Sequence, residues 1–529
     1  MSEIVRGEDL SEREKRLLFW ASFLSLAAAG FGFSFRVAMM EDYGAELGLT
    51  NLQVGWVFGA SLWPIAITMI GFSLVVDKTG YRLPMYGAFL LQAASGVGTY
   101  FADSYGALYV FALCAGLGHG IVEAVINPIC AAVYNQEKTK WLTILHAAWP
   151  AGLVAGTLLI IGSDAAFGEL DWRVHALWIL IPAVAYALMY GPCKFPVDER
   201  VQAGVPYRVM LRQVGFLGAA LASTLLIYEI GNQVEQLSGW EKPAAWFSTS
   251  LYAGLGVGVA YGLLVRGVGQ VVFFLMCLLM IPVATAELGT DGWIKQLMTP
   301  VLQDLEWNPA MALVFSATIM LVFRVFAGGI LKLFSPPGLL CVSGIFSAAG
   351  LYWLSGAAGA SIFIAFTIYA LGQTFYWPCV LGFTAERYPQ GGALTLNTVS
   401  AIGLLSAGIV GTPILGAAFD RSTHETVAVE APALAAAATE EKSFFGMTHD
   451  AILPEKKDAY LASLTDTAER DRVEATYGAA AKQAGRDVLA YAVRFPLILV
   501  VAFGLIALWF RMRGGYKPVH LSDGSAADA

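Results

Sequence analysis

Three polar residues interrupt a long apolar run at residues 105–134. His119, Glu123 and Asn127 follow one another at four-residue steps, and Pro128 comes directly after them. On a helix these positions share one face, so an imidazole, a carboxyl group and an amide would line one wall. Ionisable groups at membrane depth are costly, and they usually face a bundle interior or a wet cavity where they bind substrate or relay protons. The stripe therefore predicts a buried polar site, formed by Glu123, His119 and Asn127, that can bind a small molecule or relay protons.

Structural interpretations stay open for the same residues. A lone intramembrane histidine such as His119 can serve only as a hydrogen bonder between packed helices. Glu123 can be bonded across helices and never titrate.

The amino-acid composition indicates whether the chain folds in water or in a lipid bilayer. Its 529 residues are 57% hydrophobic and only 14% charged, with a mean hydropathy of +0.63. Because charged residues make up about a quarter of a soluble domain, we expect an all-α polytopic protein in a lipid bilayer. The net charge of −8 gives no reason to expect nucleic-acid binding. The six cysteines form no CxxC pair and no metal-like spacing, so we expect neither a metal nor a cofactor.

Apolar runs of about 20 residues predict about 14 transmembrane helices in a six, two, six arrangement. Residues 1–191 would form one six-helix bundle, 192–268 a cytoplasmic linker and an extra hairpin, and 269–529 a second bundle. The first run continues past a typical signal sequence, so we expect an uncleaved first span. The predicted spans are 17–40, 52–76, 83–102, 105–134, 141–163, 174–191, 214–233, 245–265, 270–288, 309–333, 338–354, 361–385, 393–419 and 488–511.

The distribution of charge between the spans predicts the orientation. Basic residues fall in the turns that would be cytoplasmic, which predicts that both termini are in the cytoplasm. We expect the protein in the plasma (inner) membrane. The other turns are acidic, including Glu41, Asp42 and Glu46 in one and Asp164, Glu169 and Asp171 in another. Residues 420–487 would form an external helical insertion, either a cap or partner-docking module or simply a solvated helical pair.

A weak internal repeat relates the two sets of six spans. Pro128 and Pro378 lie in the fourth span of each set, and a polar residue follows at almost equal distance, His146 in the first and Asn397 in the second. Transporter halves show such pseudo-symmetry when the solute site lies between them near the bilayer midplane.

Residues 73–82, SLVVDKTGYR, resemble the signature loop of the major facilitator superfamily, in which Gly, Asp, a base, Gly and two bases recur. Ser73 and Tyr81 depart from that pattern. We expect Asp77 to pair with a neighbouring helix end or with Arg82 and so hold two bundles together in an outward-open state. An ordinary charged turn is the alternative. The candidate gating residues are Asp77, Lys78, Gly80 and Arg82.

Residues 116–128, GLGHGIVEAVINP, resemble the fourth helix of the fucose-permease branch of proton-coupled sugar transporters. The resemblance implies that Glu123 is a protonatable coupling residue. Pro128 would free the carbonyl of Ala124 and leave an acceptor facing the cavity. The branch has a second acid in its first helix, where this chain offers Arg36. Arg36 would bind an anionic solute such as a sugar acid, snorkel outward, or pair with Glu123.

Further side chains could supply the amides, imidazoles and aromatic rings that sugars need, although each could equally be a packing residue. The candidates for solute binding are Arg36, Asn127, His146, Trp149, Gln373, Tyr376, Trp377 and Asn397.

We therefore predict a secondary transporter, monomeric and not an enzyme, that moves a sugar or sugar acid with protons by alternating access. Another organic anion or a drug-like solute is the alternative cargo. A membrane glycosyltransferase using Glu41, Asp42 and Glu46, or a sensor that binds solute without moving it, are the alternatives of other classes. The sequence contains no Walker-type phosphate loop for ATP-driven pumping.

Overall fold

The computed structural model describes residues 5–49, 51–168, 170–243, 245–291, 310–444 and 447–521, and the isolated residues 302, 306 and 308. Glu169 and Pro309, which begins a predicted span, lie outside the described residues. Twelve helical segments in the described part are long and apolar enough to cross a membrane. The expectation of a polytopic helical membrane protein is confirmed.

We use the term first half for the helices between residues 12 and 190, which pack together and are often broken in the middle. Its first helix begins at a capping box, in which the Glu14 amide donates to the Ser11 hydroxyl (3.3 Å) and the Ser11 amide donates to the Glu14 carboxylate (2.8 Å). The helices are α1 (Glu12–Glu46), α2 (Asn51–Ala60), α3 (Trp63–Thr79), α4 (Arg82–Tyr100), α5 (Tyr105–Val133), α6 (Lys138–Leu145), α7 (Ala148–Phe167), α8 (Trp172–Leu177) and α9 (Leu180–Tyr190).

A linker and a helical hairpin follow the first half, and we use the term second half for the helices between residues 271 and 512. The linker carries α10 (Glu199–Gln202), and the hairpin consists of α11 (Tyr207–Ser238) and α12 (Trp246–Val265). Two short π-helical segments, Thr285–Gly289 and Ala407–Gly411, pack against each other in the second half. Its α-helices are α13 (Val271–Ala284), α14 (Met311–Val325), α15 (Ala327–Ile330), α16 (Pro336–Gly356), α17 (Ser361–Gln373), α18 (Tyr376–Arg387), α19 (Gly392–Ser406), α20 (Thr412–Glu430), α21 (Pro432–Ala438), α22 (Pro454–Ser463), α23 (Thr467–Ala492) and α24 (Arg494–Met512).

The fourteen predicted spans all fall on helices of the described chain. Two of them are not among the twelve segments that satisfy both length and hydropathy. The span predicted at 83–102 is α4, and the one at 309–333 is α14 with the short α15. The described α14 has only 15 residues, and α4 is more polar because it carries groups such as Gln92. Both Gln92 and Arg324 face the protein interior.

The predicted helical insertion is only partly helical. Thr439–Phe444 and Met447–Ile452 form an antiparallel two-stranded hairpin, in which Thr439 lies opposite Ile452. The prediction was wrong there because it used the Ala- and Glu-rich average of residues 420–487, which hides a short segment with buried Ala451 and Ile452. The hairpin, α21 and α22 share a small apolar cluster with the facing parts of α20 and α23, so the insertion has a core of its own.

The first and last described residues, Val5 and Leu521, both contact the linker at one end of the bundle, which we call the terminal end. The Val197 amide donates to the Val5 carbonyl (3.0 Å), and the Leu521 amide donates to the Glu199 carboxylate (3.4 Å). The two halves also meet there, where α3 packs on α19 and α6 packs on α18. The hairpin lies beside this seam, because α11 packs on α19 while Gln233 accepts a hydrogen bond from the Tyr109 hydroxyl of the first half (2.8 Å).

Glycines let α5 approach its neighbours closely enough to bury its polar face. A methyl group on Gly120 would lie 2.5 Å from the Ile65 carbonyl oxygen of α3, which is closer than non-bonded atoms tolerate. A methyl group on Gly116 would likewise lie 2.9 Å from the Ser61 carbonyl oxygen. The residues that open the helix do not share this constraint, since a methyl on Gly106 would meet nothing within 4 Å.

We predict that Gly120→Ala separates α3 from α5 and costs about 1–3 kcal/mol of stability through overpacking. Its midpoint of thermal unfolding in detergent should fall. Gly106→Ala on the same helix is the matched control and should be neutral or slightly stabilising. Equal midpoints for the two variants would show that the close contact carries no stability.

Candidate functional site

The three polar residues of α5 share one buried face. The exposed fractions of His119, Glu123 and Asn127 are 7%, 7% and 0%. The Asn127 side-chain amide donates to the Glu123 carboxylate (2.8 Å) and to the Glu123 backbone carbonyl (3.1 Å). His119 Nε2 lies 3.8 Å from the other carboxylate oxygen, near enough for electrostatic attraction but too far for a hydrogen bond. The predicted stripe therefore exists as a connected polar group.

The turn between α6 and α7 adds the imidazole of His146 to this group, and the first turn of α7 adds the indole of Trp149. His146 Nε2 lies 3.0 Å from the Asn127 side-chain oxygen. Because the Asn127 NH2 group donates to Glu123, its oxygen must accept, and His146 Nε2 carries the proton. The half-buried Trp149 ring stacks on His119, with centroids 5.2 Å apart and planes 15° from parallel. The structure thus brings together five residues that the sequence placed on two different spans.

The network continues into the second half through an arginine that sequence reasoning missed. Arg324 of α14 donates to the His146 carbonyl (3.1 Å), to the Thr374 carbonyl (2.8 Å) and to the Glu287 carboxylate (2.9 Å). The exposed fractions of Arg324 and Glu287 are 2% and 4%. Both residues lie inside predicted spans, so the rule on intramembrane charge that identified Glu123 would have found them too.

The three candidates of the span predicted at 361–385 belong to the core of the second half. Gln373 is fully buried, with its NH2 group 3.4 Å from the Ser316 hydroxyl, and its side chain also bonds Asp291. Tyr376 is fully buried, with its hydroxyl facing Ser347.

Trp377 does not lie in an interfacial belt. Its ring packs over Gly403 of α19, beside Met280 of α13. The ring is 8% exposed and therefore belongs to the packing between these two helices.

Asn397 closes the interface between the halves instead of facing a cavity. Its NH2 group donates to the Ser73 hydroxyl (2.7 Å) and to the Ala124 carbonyl (3.0 Å), both in the first half. The expectation that Pro128 leaves the Ala124 carbonyl open to the cavity is therefore wrong. That freed acceptor is buried at the seam, where leaving it unpaired would be costly, and Asn397 satisfies it. Ser73, a departure from the signature loop, supplies the second partner.

Asp77 forms its ion pair with Arg200 of the linker, not with Arg82 as one of the alternatives proposed. Arg82 instead donates to the Cys193 carbonyl (2.6 Å) and lies over the Phe195 ring. Lys78 is exposed, and Gly80 ends α3 with φ +67°, a conformation that favours glycine. The signature loop is thus fastened to the linker between the halves.

Polar contacts from both halves surround this ion pair at the terminal end. The Glu386 carboxylate of α18 accepts from the Thr139 hydroxyl (2.6 Å) and amide (3.1 Å) of α6. Lys138, 2% exposed, pairs with Glu199 of the linker and donates to the Ala385 carbonyl (3.2 Å). Together with Asp77 and Arg200, these residues form what we call the terminal latch: Asp77, Lys138, Thr139, Glu199, Arg200 and Glu386.

A buried carboxyl group adjoins the latch. Asp198 of the linker caps the Arg200 amide (2.9 Å). Burial disfavours the charged form and raises the pKa of Asp198 to about 6, although Arg200 partly offsets that effect.

Arg36 neither snorkels to the membrane surface nor pairs with Glu123. Its Nη1 lies 3.2 Å from the position that a methyl on Gly32 would occupy, so the side chain points back along α1 into the bundle. There it lines a cavity of about 30 Å³ inside the first half, shared with Gln92, Ser95 and His119. That volume holds about one water molecule and excludes a sugar acid.

The sequence of this chain is similar to a known family and to several known proteins. The family model described as Major Facilitator Superfamily matches residues 21–412. The synaptic vesicular amine transporter of Rattus norvegicus is 24% identical over 178 residues, which is 32% of this chain and 33% of that protein. The human protein of the same name is 23% identical over 180 residues, again 32% and 33%. The chain thus spans about a third of the length of the curated relatives it matches.

Solved structures share the fold at low sequence identity. A proton:xylose symporter bound to 6-bromo-6-deoxy-D-glucose has a TM-score of 0.57 at 14% identity, covering 79% of this chain and 91% of that chain. A human organic anion transporter has a TM-score of 0.57 at 12% identity, covering 92% and 99%. The fucose:proton symporter of E. coli has a TM-score of 0.52 at 12% identity, covering 92% and 98%.

We predict that Asn397→Ala weakens closure of the terminal end, because it removes two hydrogen bonds between the halves, each worth about 0.5–1.5 kcal/mol. Spin labels on the exposed Leu83 and Leu333, in a variant without native cysteines, would report the distance between the halves. Asn397→Ala should increase the population at longer distances.

Ser406→Ala on the same helix is the matched control, since the Ser406 hydroxyl bonds only within its own half, to the Ile402 carbonyl (2.6 Å). An unchanged distance distribution in Asn397→Ala, or the same change in Ser406→Ala, would contradict a role for Asn397 in closure.

Proposed function

Because this chain belongs to the major facilitator superfamily, we propose that it is a secondary active transporter that moves a small polar solute together with protons. The observation that carries the proposal is the buried Glu123–Asn127–His146 network, which reaches Arg324 in the other half. Protonation of a carboxyl group at that junction can change hydrogen bonds in both halves. Residues 116–128 of α5 resemble the fourth helix of the family's proton-coupled sugar transporters.

Glu123 would carry the transported proton. In its ionised form it accepts from Asn127, which fixes the amide and, through it, the proton on His146. Protonation removes the charge and gives Glu123 a donor of its own, so the amide and imidazole must rearrange. Because the His146 carbonyl holds Arg324, this rearrangement alters a contact between the halves. His119 is the adjacent group for sharing the proton.

The terminal latch would be the gate that closes one side during this cycle. Its residues come from the first half, the linker and the second half, so it must break for the terminal end to open. We further propose a monomer in the plasma membrane with both termini in the cytoplasm. In that orientation the terminal end faces the cytoplasm, and the present structure is closed on that side.

The charges near the junction favour a neutral sugar over a sugar acid. Arg324 is neutralised by Glu287, and Arg36 lies in a separate cavity too small for such a solute. A carboxylate on the solute would therefore meet Glu123 without a free cation beside it. Trp149 offers an aromatic face for a sugar ring, and Asn127 and His146 beside it offer polar groups for its hydroxyls.

A monoamine is the second candidate solute. The rings of Phe33, Phe58 and Trp149 form a cluster, with Phe33 centroids 5.3 Å from Phe58 and 5.4 Å from Trp149, and Trp149 stacks on His119 near Glu123. Aromatic faces next to a carboxylate suit an ammonium group. The relatives named vesicular amine transporters are consistent with this alternative.

We predict uptake of neutral sugars, and not of sugar acids, into liposomes containing the purified protein under an inward proton gradient. A panel of radiolabelled neutral sugars, sugar acids and monoamines would measure this directly. Uptake of monoamines alone would favour the second candidate. Uptake of sugar acids would show that the charge argument is wrong.

We predict that Glu123→Gln reduces gradient-driven accumulation of the identified solute to the level of protein-free liposomes, because the amide cannot carry a proton. Exchange of solute across the membrane should persist, since exchange needs no net proton movement. Glu46→Gln is the matched control, because Glu46 pairs with Arg173 (2.8 Å) at the opposite end and should leave accumulation unchanged. Wild-type accumulation with the gradient collapsed would contradict proton coupling.

A further inference from the structure

The cavity beside Arg36 lies within the first half and is partly open, and His119 in its wall also faces Glu123 of the polar network described above. Its walls come from α1, α4, α5 and the turn between α8 and α9. Its volume of about 30 Å³ leaves room for one occupant the size of a water molecule or a monatomic ion. Any ligand of this cavity is therefore small, whatever solute the protein transports.

The cavity carries a positive charge that no described residue neutralises. Arg36 makes no hydrogen bond or ion pair with any residue in the described part of the chain, and its Nε is buried without a partner. A buried arginine is normally paired, because an isolated charge in an apolar interior is strongly unfavourable. Arg36 is partly buried with its Nε fully enclosed, whereas the fully buried Arg324 is paired with Glu287.

The remaining polar groups of the wall are suited to an anion. Gln92 uses its side-chain oxygen to accept from the Tyr186 hydroxyl (3.1 Å), which leaves its NH2 group as a donor. Ser95 and Thr99 add hydroxyl groups, and none of the residues lining the cavity has a carboxylate. A guanidinium, an amide NH2 and two hydroxyls can all donate to one central ion.

We propose that the first half binds a single halide ion, chloride under physiological conditions, next to Arg36. The ion supplies the missing counter-charge, and the volume selects a monatomic anion over sulfate, a carboxylate or a sugar acid. Water alone would fill the space but would leave the guanidinium without a counter-charge. The proposal does not depend on the identity of the transported solute.

The test measures the midpoint of thermal unfolding of the detergent-solubilised protein in sodium gluconate, chloride, bromide or sulfate at constant ionic strength. Ligands that bind the folded state raise its stability in a saturable manner. Chloride and bromide should raise the midpoint relative to gluconate, with saturation, and sulfate should not. Arg36→Gln should abolish the difference between chloride and gluconate.

Arg173→Gln is the matched control, because Arg173 is an arginine at the edge of the same bundle that already pairs with Glu46. It should retain the chloride effect. A midpoint independent of chloride, an equal effect of sulfate, or a chloride effect that survives Arg36→Gln would each overturn the proposal.

A second measurement avoids the variant altogether. Crystals of the wild-type protein soaked in bromide should show an anomalous scattering peak beside the Arg36 guanidinium. A bromide-soaked crystal with no peak in this cavity would overturn the proposal even if Arg36→Gln fails to fold.

Discussion

A charged or polar group buried in a membrane protein must find a partner inside the protein, since lipid offers none. This requirement organises the centre of the molecule. Glu123 is held by Asn127, Asn127 by His146, and the His146 backbone by Arg324, whose own charge is balanced by Glu287. Each group contacts the next, so the chain of contacts crosses from one half to the other. A change of charge at one end cannot remain local.

The same requirement explains how the halves meet. Pro128 lacks an amide proton, so the Ala124 carbonyl loses its helical partner. In the interior of α5 that acceptor could have been left to water in a cavity. Instead Asn397 reaches across the seam to bond it, and Ser73 shares the same amide group. The Ala124 carbonyl, which has no partner within its own helix, thereby forms a contact with the second half. This contact exists only while the two halves are closed together.

Patterns within single segments of the sequence predicted much of this structure. All fourteen spans fall on helices, and the four-residue spacing of His119, Glu123 and Asn127 placed them on one face. What failed depends on distant partners. Asp77 pairs with Arg200, which lies 123 positions away in the linker. Nothing in the signature loop distinguishes Arg200 from Arg82 as that partner. The β-hairpin at 439–452 was missed because composition was averaged over a longer segment.

Two arginines in membrane-spanning helices show which part of the site the sequence could predict and which it could not. Arg36 was noticed because it replaces an acid in the resembling branch, whereas Arg324 was overlooked, yet Arg324 is the one that joins the halves. Only coordinates separate their roles, since both lie in apolar helices and both point inward. Arg324 has three acceptors, including a carboxylate, and needs nothing more. Arg36 has none among the described residues and borders an internal space. Arg324, which is paired, therefore has a structural role, whereas Arg36, which has no partner among the described residues, is the one proposed to bind a ligand.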